Sequence, residues 1–348
     1  YVNTSDANTV LIYTDTPGVV DVNRKLGYAA HDASNEIQLQ LDGNVSATNT
    51  NFKSNLAATN FTVANRGQAS AMMVRNFQIY NGLANFADAK AILDGLMAPS
   101  PEAQAVLDRM SALTPTETSA IEAFVDGCVA DGNWDKIDEF FCFALNNTDW
   151  TKGFKAATAI PIGSAAKTGN GVQFDAGSGN YIDTTLVLTA LTNYQLDDAE
   201  AGVYLQAQPA WGTGNNDLFG VQTGATDPRL RMRHRGDDTN DFAASINGTA
   251  TVNSPMLATS MDNTLFSLKA TAAAAELYFN GVLQPDAVGP QATIPPTFPV
   301  WIGVCNDTGA ALQPNRAGTY TSFYVGAALD TLAFYNRLTT LHTALGVA

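Results

Sequence analysis

One stretch, Gln208-Pro209-Ala210-Trp211-Gly212-Thr213-Gly214-Asn215-Asn216-Asp217, sets an indole beside amide and carboxylate groups in a loop-like composition. Such a set suits a sugar: an aromatic plate packs on the apolar face of a pyranose while Asn and Asp hydrogen-bond its hydroxyls. Trp211, Asn215, Asn216 and Asp217 are therefore candidate glycan-binding residues, with Asn306 and Asp307 in a second such loop. The competing reading folds Trp211 back as a lid on an apolar core. Further on, Arg229, Arg231, Arg233 and Arg235 alternate with Leu230, Met232 and His234. Alternate side chains of a strand point to opposite faces, so these arginines form a basic stripe on one side. Guanidinium forks match carboxylates. The stripe reads either as a seat for an acidic glycan or an acidic neighbouring subunit, or as a solvated face balanced by Asp227, Asp237, Asp238 and Asp241.

Catalytic chemistry finds less material. Glycoside hydrolysis needs two carboxylates flanking the scissile bond. The densest acidic groups, Asp197-Asp198 with Glu200 and Asp237-Asp238 with Asp241, fall in stretches that read as polar loops. Three scattered histidines (His31, His234, His342) and the lack of a phosphate loop, nucleophile elbow or zinc motif lead us to expect no catalytic residue and no metal site. Cys128, Cys142 and Cys305 show no metal-ligand spacing and read as buried reduced thiols, a Cys128–Cys142 bridge being the minor alternative.

The elements that must position these residues are mostly strands. Charged residues make up 15% of the 348, hydrophobic ones 45%, and there are 28 Gly, a profile of β-rich surfaces coated with uncharged polar groups. A net charge of −15 argues against nucleic acid and against an anionic membrane, since phosphate binding needs clustered Lys and Arg. No run of about 18 apolar residues suggests a spanning helix. The chain starts at Tyr1, so the lack of a leader is uninformative about compartment. Low charge density suggests packing in a homo-oligomer, with residues 1–160 holding most of the contact.

Residues 1–98 read as a β-rich attachment or oligomerisation module. Its candidate strands are 10–13, 37–41, 60–64 and 72–80, and a helix over 86–96 closes it. Residues 99–159 read as an acidic helical connector, with ten acidic against four basic residues from 99 to 160. Ser100 before Pro101 predicts one helix start, and Thr114-Pro115-Thr116-Glu117 a second with a capping box. The spacing of Ile137, Phe140, Phe141 and Ala144 predicts a third helix over 134–145. Between Gly171 and Leu329, about ten short runs punctuated by Gly, Asn, Asp and Pro argue for an all-β sandwich, and residues 160–348 read as a domain folding on its own. Asn280-Gly281 predicts a two-residue hairpin between Glu276–Phe279 and Val282–Leu283. Trp301, flanked by Val300 and Ile302, reads as core.

The phrases GVQFDAGSGNYIDT (171–184), NDLFGVQT (216–223), AELYFNGVLQ (275–284), VWIGVCN (300–306) and SFYVGAAL (322–329) resemble, in that order, the strands of the concanavalin A-like, laminin-G-type jelly roll. This implies a mainly β fold with a C-terminal two-sheet sandwich. Laminin-G-type domains often hold calcium at the rim, for which Asp217 and Asp307 are possible donors. The TPTE start, NWDKIDEFFCFALN, DWTKGFK and the closing YNRLTTLHTALGV are similar to segments around jelly rolls in virion proteins of tailed bacteriophages. That likeness implies a non-enzymatic virion surface protein, a head-fibre, decoration or tail-fibre type. Its partners would be other virion proteins and, through the lectin-like domain, host or environmental polysaccharide. The alternatives are a secreted bacterial lectin or adhesin, and a glycan-cleaving enzyme.

Overall fold

The structure, a computed structural model, describes the strands Val2–Asn3, Leu11–Ile12, Leu26–His31, Glu36–Leu41 and Asn44–Asn49 and residues 99–347, less 147, 175–178, 208–214, 225–228, 236–240, 256–261, 290–292, 294–295 and 313–317. The chain divides into two compact units, Tyr1–Pro99 and Ser100–Ala348. In the first, Leu26–His31, Glu36–Leu41 and Asn44–Asn49 form a three-stranded antiparallel sheet. The strands expected at 60–64 and 72–80 and the helix at 86–96 lie outside the described residues.

The second unit is a sandwich of two sheets. In the nine-stranded sheet the order runs Val252–Pro255, Asp241–Gly248, Arg229–Arg235, Asn215–Gln222, Pro299–Ile302, Tyr181–Val187, Ile160–Ile162; Cys305–Asp307 and Ala310–Leu312 attach beside Asn215–Gln222. In the eight-stranded sheet it runs Val282–Val288, Ala275–Phe279, Thr264–Thr271, Asp198–Ala207, Thr319–Gly326, Gly171–Gln173, Ala166–Thr168, with Ile137–Cys142 paired to Thr319–Gly326. The expected hairpin is present, with Asn280 and Gly281 both at positive φ (51° and 78°), as a type I′ turn requires. Between the sheets lies an apolar core that includes Phe219, Leu230, Met232 and Phe242 from one side and Val203, Phe266, Leu268 and Phe323 from the other.

A second core covers the outward face of the eight-stranded sheet. Helices Pro101–Arg109, Pro115–Ala130 and Thr331–Ala344 bury Val106, Ile121, Phe124, Phe334, Leu338 and Leu341 against Phe140, Tyr204, Leu265 and Tyr324. Both helix starts form as expected: Ser100 Oγ accepts the Ala103 N–H at 3.1 Å, and Thr114 and Glu117 make the reciprocal box. The expected third helix does not form. Trp134–Lys136 is a single 3-10 turn, and Ile137–Cys142 is a strand whose Phe140, Phe141 and Cys142 are fully buried. The residues read as a helical connector thus supply a strand and two helices to the same compact unit as the sandwich, so the 159/160 boundary falls inside it.

The acidic residues of this stretch act on backbone. Glu139, 1% exposed, accepts the N–H groups of Phe140, Lys155, Ala156 and Ala157 at 2.6–3.0 Å. Asp138 accepts those of Thr192, Asn193 and Tyr194. Asp149 accepts from Ser111 and Ala112, and against the effect of its burial Lys152 and these amides hold its carboxyl at about 2. Cys128, Cys142 and Cys305 are buried and unbridged, and burial pushes the Cys128 and Cys142 thiols up to about 12. Among the described residues no helix is long and apolar enough to cross a membrane.

Candidate functional site

Alternation along Arg229–Arg235 is as read from the sequence: Leu230, Met232 and His234 are fully buried on the inner side, which leaves Arg229, Arg231 and Arg233 to the outward face of the nine-stranded sheet, while the Arg235 side chain lies outside the described residues. That face is not a free basic stripe. Arg231 is only 5% exposed and grips Asp217 on the neighbouring strand with two bonds, Nε to Oδ1 at 2.7 Å and Nη2 to Oδ2 at 2.8 Å. Its Nη1 reaches Gln222 Oε1 at 3.1 Å, and Gln222 donates in turn to Asp307 Oδ2 at 3.2 Å. Burial pushes the Asp217 carboxyl up to about 6, opposed by the Arg231 charge. Arg229, half-buried, donates to Thr249 O and Thr251 Oγ1.

This network reassigns the predicted sugar contacts. Trp211 lies outside the described residues, and Asn215 opens the strand Asn215–Gln222. Asn216 is 2% exposed, and Asp217 is fully buried with both oxygens held by Arg231. Asn306 is fully buried too; it donates to Pro299 O at 2.7 Å and accepts the Gly309 N–H at 2.8 Å, so it builds its own turn. Asp307 is half-buried and occupied by Gln222. The four described side chains, Asn216, Asp217, Asn306 and Asp307, therefore do not assemble an open sugar site; the strand register shifts between Asp217 and Phe219. Asp217 and Asp307, the possible calcium donors, thus each have a hydrogen-bond partner within the sheet. Among the described residues no group of three or more His, Cys, Asp or Glu side chains gathers that could hold a metal ion.

Of the acidic group at 197–200, Asp197 lies in an exposed turn as read, but the rest does not. Asp198–Ala207 is a strand, and Glu200 is fully buried beneath the last helix. It accepts from Tyr324 Oη at 2.6 Å, Leu329 N at 2.9 Å and Thr331 Oγ1 at 3.3 Å, and burial raises its pKa against the pull of Lys269 and those donors. Of the second acidic group, Asp237 and Asp238 lie outside the described residues and Asp241 opens the strand Asp241–Gly248.

The feature the sequence reading missed is an aromatic pair. Val300 and Ile302 belong to the inter-sheet core, so the intervening Trp301 points the other way, to the outward face. There it stacks on Tyr181 of the adjoining strand, with ring centroids 4.2 Å apart and planes 23° from parallel. Trp301 is 6% exposed, whereas Tyr181 is half-buried and presents the pair to solvent. Asp183 pairs directly with Trp301 in the sheet register, and its Oδ1 accepts the Thr185 N–H at 2.8 Å. Burial, then the nearby Asp183, raises the Tyr181 pKa. Ile162 and Ile160 stand opposite Tyr181 and Asp183 on the edge strand, Ile160 well exposed. The result is a flat aromatic surface with a carboxylate at its side and an apolar rim.

No protein-family model and no curated protein matches the chain. Similar solved structures include the Trypanosoma rangeli sialidase in complex with sialic acid, at 13% identity and a TM-score of 0.44, covering 59% of this chain and 33% of that one. Another is the receptor-binding domain of botulinum neurotoxin C/D mosaic serotype, at 11% identity and a TM-score of 0.42, covering 58% and 51%. This chain thus spans about a third of the sialidase and half of the toxin chain. Likenesses this distant carry no argument about activity. The expectation of a phage virion surface protein is nevertheless corrected: the similar structures reported are sialidases and toxin receptor-binding domains rather than virion proteins, and that reading is set aside.

Proposed function

We propose that this protein binds carbohydrate without turning it over, and that the sugar lies on the outward face of the nine-stranded sheet against Tyr181. The observation that supports this reading is the Tyr181–Trp301 stack. A phenol ring backed by an indole is held flat, so a pyranose can pack on it without first ordering the side chain, which lowers the entropic cost of binding. Asp183, opposite Trp301, offers its carboxylate to hydroxyl hydrogens. Glu200 and Asp198, which sequence spacing offers as acids, hold the chain around Ala328 to Thr331 and are spent there.

The test begins with a glycan array probed by the full chain, followed by calorimetric titration of retained glycans. Tyr181→Ala should weaken binding by about 1–3 kcal/mol, the scale of an aromatic anchor, with the thermal midpoint nearly unchanged. Tyr181→Phe should keep most of the affinity. Failure to retain any glycan, or equal affinity in Tyr181→Ala, overturns the assignment. Release of reducing ends from a bound glycan overturns the claim of binding without turnover.

A further inference from the structure

His342 has no role in that face, and its surroundings are unusual. It sits near the end of helix Thr331–Ala344, fully buried, and neither ring nitrogen has a hydrogen-bond partner. Its ring packs edge-on against Tyr204 of the eight-stranded sheet at 4.3 Å between centroids. A neutral imidazole tolerates this place at the cost of unmade hydrogen bonds; an imidazolium, with neither acceptor nor counter-charge, does not.

The charged groups on the elements around it are engaged elsewhere. Asp131, after helix Pro115–Ala130, pairs with Arg337 at 2.8 Å, while Asp126 accepts the Ser100 N–H. On Asp198–Ala207, Asp198 and Glu200 are bound to Ala328 N and Leu329 N. Lys269 on Thr264–Thr271 donates to Leu329 O. Tyr324 on Thr319–Gly326 donates to Glu200, Tyr335 faces Tyr204, and Cys128 stays protonated. Tyr204 is the titratable group whose ring touches the imidazole.

The two ends of the helix are held differently. At its start, Asp330 caps Ala333 N, Asn133 bonds both Asp330 N and O, and Glu200 and Lys269 grip Leu329. At its end, Leu341, His342 and Val347 are held by burial, with Val347 N bonded only within the segment, to His342 O. We infer that the end of this helix, Leu341 to Val347, is an acid-released latch: protonation of His342 lifts it from Tyr204 while the start stays anchored, uncovering part of the apolar outward face of the eight-stranded sheet.

The direction follows from linkage. Burial depresses the folded pKa of His342 to about 3, below the ordinary 6.5, so the closed state binds fewer protons than the open one between those values. Closure is therefore fully favoured above 6.5 and weakens as pH falls toward 3. Opening should grow about tenfold per pH unit below 6.5, or roughly 30-fold by pH 5. Hydrogen exchange of the full chain, corrected for intrinsic rates, tests this at pH 7 and 5. Peptides covering 338–347 should gain about that factor in opening while those covering 241–248 do not. In His342→Phe the gain should vanish. Equal pH dependence in variant and wild type, or a flat wild type, overturns the latch. Should the variant not fold, NMR of the wild-type histidines decides: a His342 resonance titrating near 6.5 in the folded chain overturns it, and one unchanged from pH 8 to 5 supports it.

Discussion

The two sheets meet in one core yet treat their outward faces in opposite ways. The eight-stranded sheet is roofed by three helices, and its outward Tyr204, Leu265 and Tyr324 are as deeply buried as its inward residues. Carboxylates beneath and beside that roof tie down backbone N–H groups: four by Glu139, those of Ser111 and Ala112 by Asp149, and that of Leu329 by Glu200, which also holds two hydroxyls. The nine-stranded sheet keeps a polar outward face, where Asp217 meets a side chain, Arg231, and half-buried Tyr181 stacks on a buried Trp301. A carboxylate that ties down several amides fixes a chain path. One matched to a single guanidinium fixes only its partner, and leaves the rest of the face free to serve a ligand.

That contrast can be broken most decisively by removing the roof. A fragment starting at residue 160 lacks the Ile137–Cys142 strand and two helices, and so exposes the second core; it should show no cooperative thermal transition, whereas residues 100–348 should melt in one step. Independent cooperative folding of the shorter piece would mean that the roof is an accessory. Next in size is Phe140→Ala, which empties a site packed by Phe124 and Phe154 at 4.8 Å each and should cost about 3–5 kcal/mol by urea titration. On the other face, Arg231→Met strands a buried Asp217 and should cost about 3 kcal/mol; adding Asp217→Leu should recover most of it, because the pair repays little beyond its own desolvation. If the double variant is no more stable than the single one, the pair organises the face more than its geometry suggests.

What could be read from sequence follows the same division. Local devices were legible: Ser100 and the Thr114–Glu117 box, the Asn280-Gly281 turn, and the alternation over Arg229–Arg235. The strand Ile137–Cys142 was not, because a strand buried on both faces loses its two-residue alternation and its apolar run is as compatible with a helix. Trp301 is buried as read, but its side was not drawn out although the signal was present: flanked by two inter-sheet core residues in a strand, it had to be buried on the outward side. The Asp217–Arg231 pairing and the Tyr181–Trp301 stack join residues distant in the chain, and strand order, which no local pattern encodes, decides them.

The buried thiols give this architecture a built-in clock. Cys142 lies on the strand beneath the helices, and Cys305 on a strand attached to the nine-stranded sheet. Burial holds both sulfurs in the protonated, unreactive form while their layers stay closed. An alkylating reagent added to the native chain therefore modifies each only as fast as its own surroundings part. The ratio of the two labelling rates compares how often the two layers breathe, with no probe introduced into either.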